Sequence, residues 1–196
     1  HRFDLFPEGG SLVEGVSSVV AFKATYGDGF PEEVSGKVLE DGQQIAEILC
    51  LHDGMGQFIV TPRQGKNYRV VLDDDREFPL PDVEQDGMTL RVIRNNLAGI
   101  TLLVSAPDST ARPFSILAKQ QGILCGSASG TVSGQQALRL PIEFFSFQGI
   151  VEITLADGNG HPVAERLVYV NPGQRLSITA STDQERYTRR TEGKVR

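Results

Sequence analysis

Ser17-Ser-Val-Val20-Ala-Phe22-Lys-Ala24-Thr-Tyr26-Gly27-Asp28-Gly29 alternates apolar and polar side chains and then stops at a turn. Val20, Phe22 and Ala24 fall on one face of an extended chain, because successive strand side chains point to opposite sides. Gly27-Asp28-Gly29 closes the run, since glycine reaches the backbone conformations that tight turns demand. The same pattern continues downstream. Val34, Gly36 and Val38 mark a second strand ended by Asp41-Gly42, a hairpin signal. Residues 45–51 form a third, ended by Asp53-Gly54-Met55-Gly56. Phe58 and Val60 alternate in a fourth, and Tyr68, Val70 and Leu72 in a fifth. With residues 3–6 and 11–13 in front, about seven strands occupy roughly 75 residues, the density of a β-sandwich.

Asp73-Asp74-Asp75 and Pro79-Leu80-Pro81-Asp82 interrupt the pattern. Two prolines at this spacing favour extended chain and remove ladder donors, which puts a domain boundary near residue 80, with the three aspartates in a solvated linker. A second β series follows: Leu90 and Val92; Ile100, Leu102 and Val104; Phe114, Ile116 and Ala118; residues 123–125; Leu138, Leu140 and Ile142; Val151, Ile153 and Leu155; residues 163–170. The expected fold is therefore all-β: two tandem immunoglobulin-like sandwiches, 1–80 and 83–171, then a tail, 172–196. The tail holds one strand-like run, 176–180, before turning polar and basic.

Composition narrows the function classes. A net charge of -6 provides no basic stripe for nucleic acid. No apolar stretch approaches the roughly 18–20 residues that span a bilayer. Residues 1–7 lack the basic and apolar segments of a signal peptide, and His1 reads as a tag remnant without function. Cys50 and Cys125 fall in different expected domains and read as free thiols that pack as small apolar groups.

Chemistry-bearing motifs fail on inspection. Gly126-Ser-Ala-Ser-Gly130 resembles a nucleophile elbow, but its centre is Ala128, and it lacks the Gly-Lys-Ser/Thr of a phosphate loop. A strand or loop of small residues is the simpler reading. Asp157-Gly-Asn159-Gly-His161 begins like a calcium loop, yet its sixth position is Pro162 and its twelfth Val168, so it reads as a hairpin turn. His52 and His161 have no partner at metal-ligand spacing. No catalytic, metal-binding or cofactor-binding residue is assigned, and the chain reads as non-enzymatic. Phe144-Phe145-Ser146-Phe147 is the densest aromatic run. It reads first as a plug for the end of the second sandwich or the interdomain seam. Phe144, Phe145 and Phe147 are also the candidate interaction patch if their rings stand exposed. In Glu165-Arg166, side chains alternate, so one is placed to face inward and pair with a neighbour, the interface included.

Phe6-Pro-Glu-Gly-Gly-Ser-Leu12, Val19-Val-Ala-Phe-Lys-Ala24, His52-Asp-Gly-Met-Gly-Gln-Phe58 and Gly149-Ile-Val-Glu-Ile-Thr-Leu-Ala-Asp-Gly-Asn-Gly-His-Pro-Val-Ala-Glu-Arg-Leu-Val-Tyr-Val-Asn171 resemble bacterial macroglobulin-like proteins. In the tail, a Thr182-Asp183 step, Tyr187 and a polar turn into Lys194-Val195 resemble the opening strand of another such domain. The resemblance implies consecutive macroglobulin domains of a large exported protein of the Gram-negative envelope, periplasmic or outer-membrane associated. Some of those proteins carry a TonB-receptor-type plug or barrel. It also implies that the chain is a piece of a longer protein and a monomer, with flanking domains and envelope proteins as partners and no cofactor. The role implied is a structural and interaction module. The alternatives are a ligand- or partner-binding domain in TonB-dependent uptake, or part of a macroglobulin-type protease inhibitor. The thioester of animal macroglobulins requires Cys-Gly-Glu-Gln; here Cys125-Gly126 runs into Ser127-Ala128, so that bond does not transfer.

Overall fold

The computed structural model describes residues 1–171, 173, 179–184, 186–189 and 193. The first half builds β1 (Arg2–Pro7), β2 (Leu12–Val13), β3 (Ser18–Thr25), β4 (Ser35–Glu40), β5 (Gln43–Leu49), β6 (Met55–Val60), β7 (Tyr68–Leu72), β8 (Glu77–Pro79) and β9 (Val83–Glu84). One sheet runs β1-β3-β6 and the other β5-β4-β7-β8, all antiparallel. Val20, Phe22, Phe58 and Val60 from the first sheet meet Val38, Ile48, Tyr68, Val70 and Leu72 from the second. Alternation in β3 sends Val20, Phe22 and Ala24 inward, where they are buried. Val20 and Phe22 each contribute about 1.5–3 kcal/mol relative to staying in water.

The second half builds β10 (Thr89–Asn96), β11 (Gly99–Ser105), β12 (Arg112–Gln120), β13 (Ile123–Val132), β14 (Gln135–Pro141), β15 (Gly149–Asp157) and β16 (Pro162–Val170). Its sheets run β10-β11-β14 and β13-β12-β15-β16. Without the two-residue strands β2 and β9, both bodies arrange their strands in the same order, 1-2-5 facing 4-3-6-7. The chain is an immunoglobulin-like sandwich repeated once. Its second core gathers Leu90, Ile100, Leu102, Ile116, Leu140, Ile153 and Leu155, all essentially without solvent contact. No helix among the described residues is long and apolar enough to cross a membrane.

Several local expectations change. Asp73-Asp74-Asp75 is no linker: it forms the turn joining β7 to β8, closed by the Leu72 N–H to Arg76 carbonyl bond of 2.9 Å. Asp75 supplies the positive φ, 65°, that a glycine would usually provide. Pro79 belongs to β8, an edge strand, where its missing N–H removes no ladder bond. Leu80 is buried in the first core and Val83 packs against it, while β9 pairs in parallel with β2. Residues 126–130 lie within β13. Ile142 leaves the strand pattern and opens a short 3₁₀ turn, Ile142–Phe144. Both cysteines are free and half-buried rather than fully buried. Cys50 Sγ accepts the Val34 N–H at 3.2 Å, and burial pushes its thiol pKa up. The tail strand expected at 176–180 lies largely outside the described residues.

Candidate functional site

The aromatic run does not form one face. Phe145 is buried in the second core, its N–H donating to the Ile142 carbonyl at 3.0 Å. Phe144 packs its ring against Gly126, where a Cβ would collide with it. Phe147 stands out at 58% exposure, while its carbonyl accepts Gln120 Nε2 at 2.7 Å. One ring fills the core, one lies against the inward face of β13 at Gly126, and one faces solvent.

A convergence of polar groups lies instead where the two sandwiches meet. Glu8 follows β1, and its side chain is only 13% exposed. Its carboxylate accepts Arg91 Nε at 3.2 Å and the Val92 N–H at 3.3 Å, and an Arg166 guanidinium nitrogen stands 3.5 Å away. Val92 lies on edge strand β10 at a register shift, so its N–H points away from the ladder to where Glu8 caps it. The neighbouring Gly9, at φ 94°, brings its backbone against Leu90 and the Ala164 side chain; a Cβ there would sit 3.0 Å from the Leu90 carbonyl oxygen. The corner after β1 thereby inserts between β10 and β16. Beside it, Ser11 Oγ donates to Glu84 at 2.7 Å and the Glu14 N–H reaches the Glu84 carbonyl at 2.9 Å. Arg112 ties the connecting segment to the second sandwich by binding Asp86 and, at 3.1 Å, Asp108. The Thr110 N–H and then Arg112 hold the Asp108 carboxyl below its usual value. Arg166 is the Glu165-Arg166 member that reaches across the interface. Nothing local in the sequence marked Glu8, except an acidic residue sandwiched between Pro7 and two glycines just past a strand.

Several other titratable groups serve turns and corners. Glu32, nearly buried, receives both Arg76 terminal nitrogens at 2.7 and 3.3 Å, and His1 Nδ1 lies 2.9 Å from it. Asp157 accepts the N–H groups of Asn159 at 2.8 Å and His161 at 2.9 Å, so its carboxylate closes a hairpin. Those bonds, His161 first, lower its pKa. Among the described residues His52 has Asp53 as its ion-pair partner, at 3.1 Å. Among the described residues no cluster of His, Cys, Asp and Glu has the geometry to hold a metal ion. A shallow cleft of about 420 Å³ beside the junction is bounded by Asp86, Arg112, Asp157 and Asn159. Its two carboxylates are already engaged by Arg112 and by the turn, and no nucleophile stands beside a base.

No family model matches the chain, and no curated protein matches it. Among solved structures it is similar to the Clostridium thermocellum CbhA fibronectin(III)-like modules, with 14% identity over 85% of this chain and 93% of that one, at a TM-score of 0.26. It is also similar to the central fibronectin-III array of RIM-binding protein, with 11% identity over 91% of this chain and 75% of that one, at a TM-score of 0.28. At such identities and scores the sandwich assignment rests on the strand order itself. The macroglobulin resemblance stands on the quoted residues alone.

Proposed function

We propose that the chain is a non-enzymatic structural and interaction module. Two immunoglobulin-like sandwiches, the first carrying Val83–Glu84 as its last strand and the second running from β10 to residue 171, are held at a set angle by the seam around Glu8 and lead at 172–196 into a further module. The observation that supports this is the seating of Glu8: a carboxylate, two guanidiniums, a strand-edge N–H and a close-approach glycine converge where a loose tether would leave all of them to water. Removing the carboxylate leaves Arg91 and Arg166 facing each other and the Val92 N–H unmatched. Glu8→Ala is expected to weaken docking of the two sandwiches by about 1–2 kcal/mol. Small-angle scattering should then show a broader distance distribution, with each sandwich still folded. Superimposable profiles for the two proteins would sink the reading.

The setting we infer is an exported protein of the bacterial envelope, with flanking domains and envelope proteins as partners. Its support is the macroglobulin-like residues 149–171 and their companions; cell fractionation that leaves the parent protein in the cytosol removes it. A second reading, a ligand- or partner-binding domain of an uptake system, is favoured by the exposure of Phe147. In that case Phe147→Ser abolishes calorimetric binding of a peptide or glycan ligand without changing the melting temperature.

A further inference from the structure

We propose that β13 is a self-pairing edge: two copies of this chain join their β13 strands antiparallel about a two-fold axis through Ala128. The surface is the open side of the sheet β13-β12-β15-β16. Beyond its ladder with β12, no backbone group of residues 124–131 bonds to another element among the described residues. Such a row of free donors and acceptors is a template for a further strand.

Other edges in the molecule are protected. β1 carries Arg2, Asp4 and Pro7; β5 carries Glu47; β8 carries Glu77 and Pro79; β14 carries Arg139 and Pro141; β16 carries Glu165 and Arg166. On β10 the Val92 N–H is capped by Glu8. β6 has no charge, but the chain leaving β5 folds onto its start, with the Leu51 N–H donating to the Met55 carbonyl at 2.7 Å. β13 is ten residues long, the longest strand among the described residues, and contains no Asp, Glu, Lys, Arg or Pro. A bulge at Cys125 is its one irregularity, and residues 126–132 continue past it in regular register.

The occupant follows from the sequence of the edge. Gly126-Ser127-Ala128-Ser129-Gly130 reads the same in both directions. Antiparallel pairing about Ala128 therefore sets Gly126 opposite Gly130 of the second copy, Ser127 opposite Ser129, Cys125 opposite Thr131, and Leu124 opposite Val132. An isologous contact of this kind needs one self-complementary patch and closes on itself. Ser127 and Ser129 are exposed on the solvent face, where hydroxyl pairs across strands are favourable. The inward positions are small because Phe144 lies against Gly126 and Phe114 against Gly130. No bulky side chain therefore keeps a second strand away. Two four-stranded sheets become one of eight. The contact is mainly backbone, so the dimer is weak, and it departs from the monomer that the sequence suggested.

Sedimentation equilibrium of the full chain, from micromolar to millimolar concentration, tests this. The wild type should pass from monomer to dimer. Ser127→Lys with Ser129→Lys places lysine opposite lysine and should raise the dissociation constant by about tenfold or more, at unchanged melting temperature. Mixing that variant with Ser127→Glu, Ser129→Glu should restore a one-to-one dimer. A wild type that stays monomeric throughout overturns the proposal and leaves the edge to a strand from another protein; a dimer indifferent to both charge variants overturns it as well. Neither outcome bears on Glu8, which lies on a different surface.

Discussion

The two sandwiches pose the same mechanical problem at one place and answer it with different chemistry. Glu40 ends β4 and Gln120 ends β12; each is followed by a two-residue turn with positive φ, 48° and 86° at Asp41-Gly42, 53° and 79° at Gln121-Gly122. Each strand also has its register shift just before, at Val38/Leu39 and Ala118/Lys119. Both side chains hold the loop that enters the next long strand of the sheet. Glu40 accepts the Tyr68 hydroxyl at 2.6 Å and an Arg63 guanidinium nitrogen at 3.0 Å, while the Arg63 N–H donates back to the Tyr68 oxygen at 2.9 Å. This is the tyrosine corner of immunoglobulin-like domains. Gln120 instead donates to the Phe147 carbonyl, and Phe145 fills the space below. The topology demands an anchored corner; whether that anchor is ionic or apolar is free to vary.

Phe145→Ala should have the largest effect. Emptying a fully buried aromatic site costs about 3–5 kcal/mol, and the loss should appear only in the unfolding transition of the second sandwich. Calorimetry that shows both transitions shifting equally would mean the corners are not independent. Tyr68→Phe should cost the first sandwich about 1–2 kcal/mol, because it leaves the Glu40 carboxylate and the Arg63 N–H without their partner. Burial, and then the bond to Glu40, push the Tyr68 pKa above its ordinary value of 10.0. A raised folded-state pKa stabilises the protein below the unfolded value and is lost as pH climbs through the folded one. The first sandwich should therefore weaken above about pH 10 in stability measurements, the second should not through this group, and Tyr68→Phe should remove that alkaline loss. The smallest effect concerns the turns. Asp41 suits a left-handed position better than Gln121, so Gln121→Asn should stabilise the second sandwich by roughly 0.5 kcal/mol in denaturant titration.

Much of this architecture was legible because period-two alternation is a direct imprint of burial. Val20, Phe22 and Ala24, or Val151, Ile153 and Leu155, announce a face as soon as they are spaced by two. What misled was chemistry standing in for a usual signal. Asp75 occupies a glycine conformation, and Pro79 sits where a strand edge tolerates it, so a turn and its strand read as a linker. The aromatic run resisted reading because the 3₁₀ turn at Ile142–Phe144 breaks the alternation that would have told inward rings from outward ones. Alternation marks Tyr68 as a strand residue and is silent on the corner, which depends on Arg63 five residues upstream in the preceding loop. Glu8 was out of reach for a plainer reason. The nearest partner of its carboxylate, Arg91, is 83 residues away along the chain, and no local pattern encodes so distant a neighbour.

That distance also orders events during biosynthesis. Glu8 leaves the ribosome well before Arg166, which belongs to β16, the final strand of the second sandwich. Until the second sandwich has been made the carboxylate stays hydrated, and the cleft that will receive Gly9 does not yet exist. Each sandwich thus has the opportunity to mature alone before the two are clasped, which keeps nascent strands of one from being captured by the other.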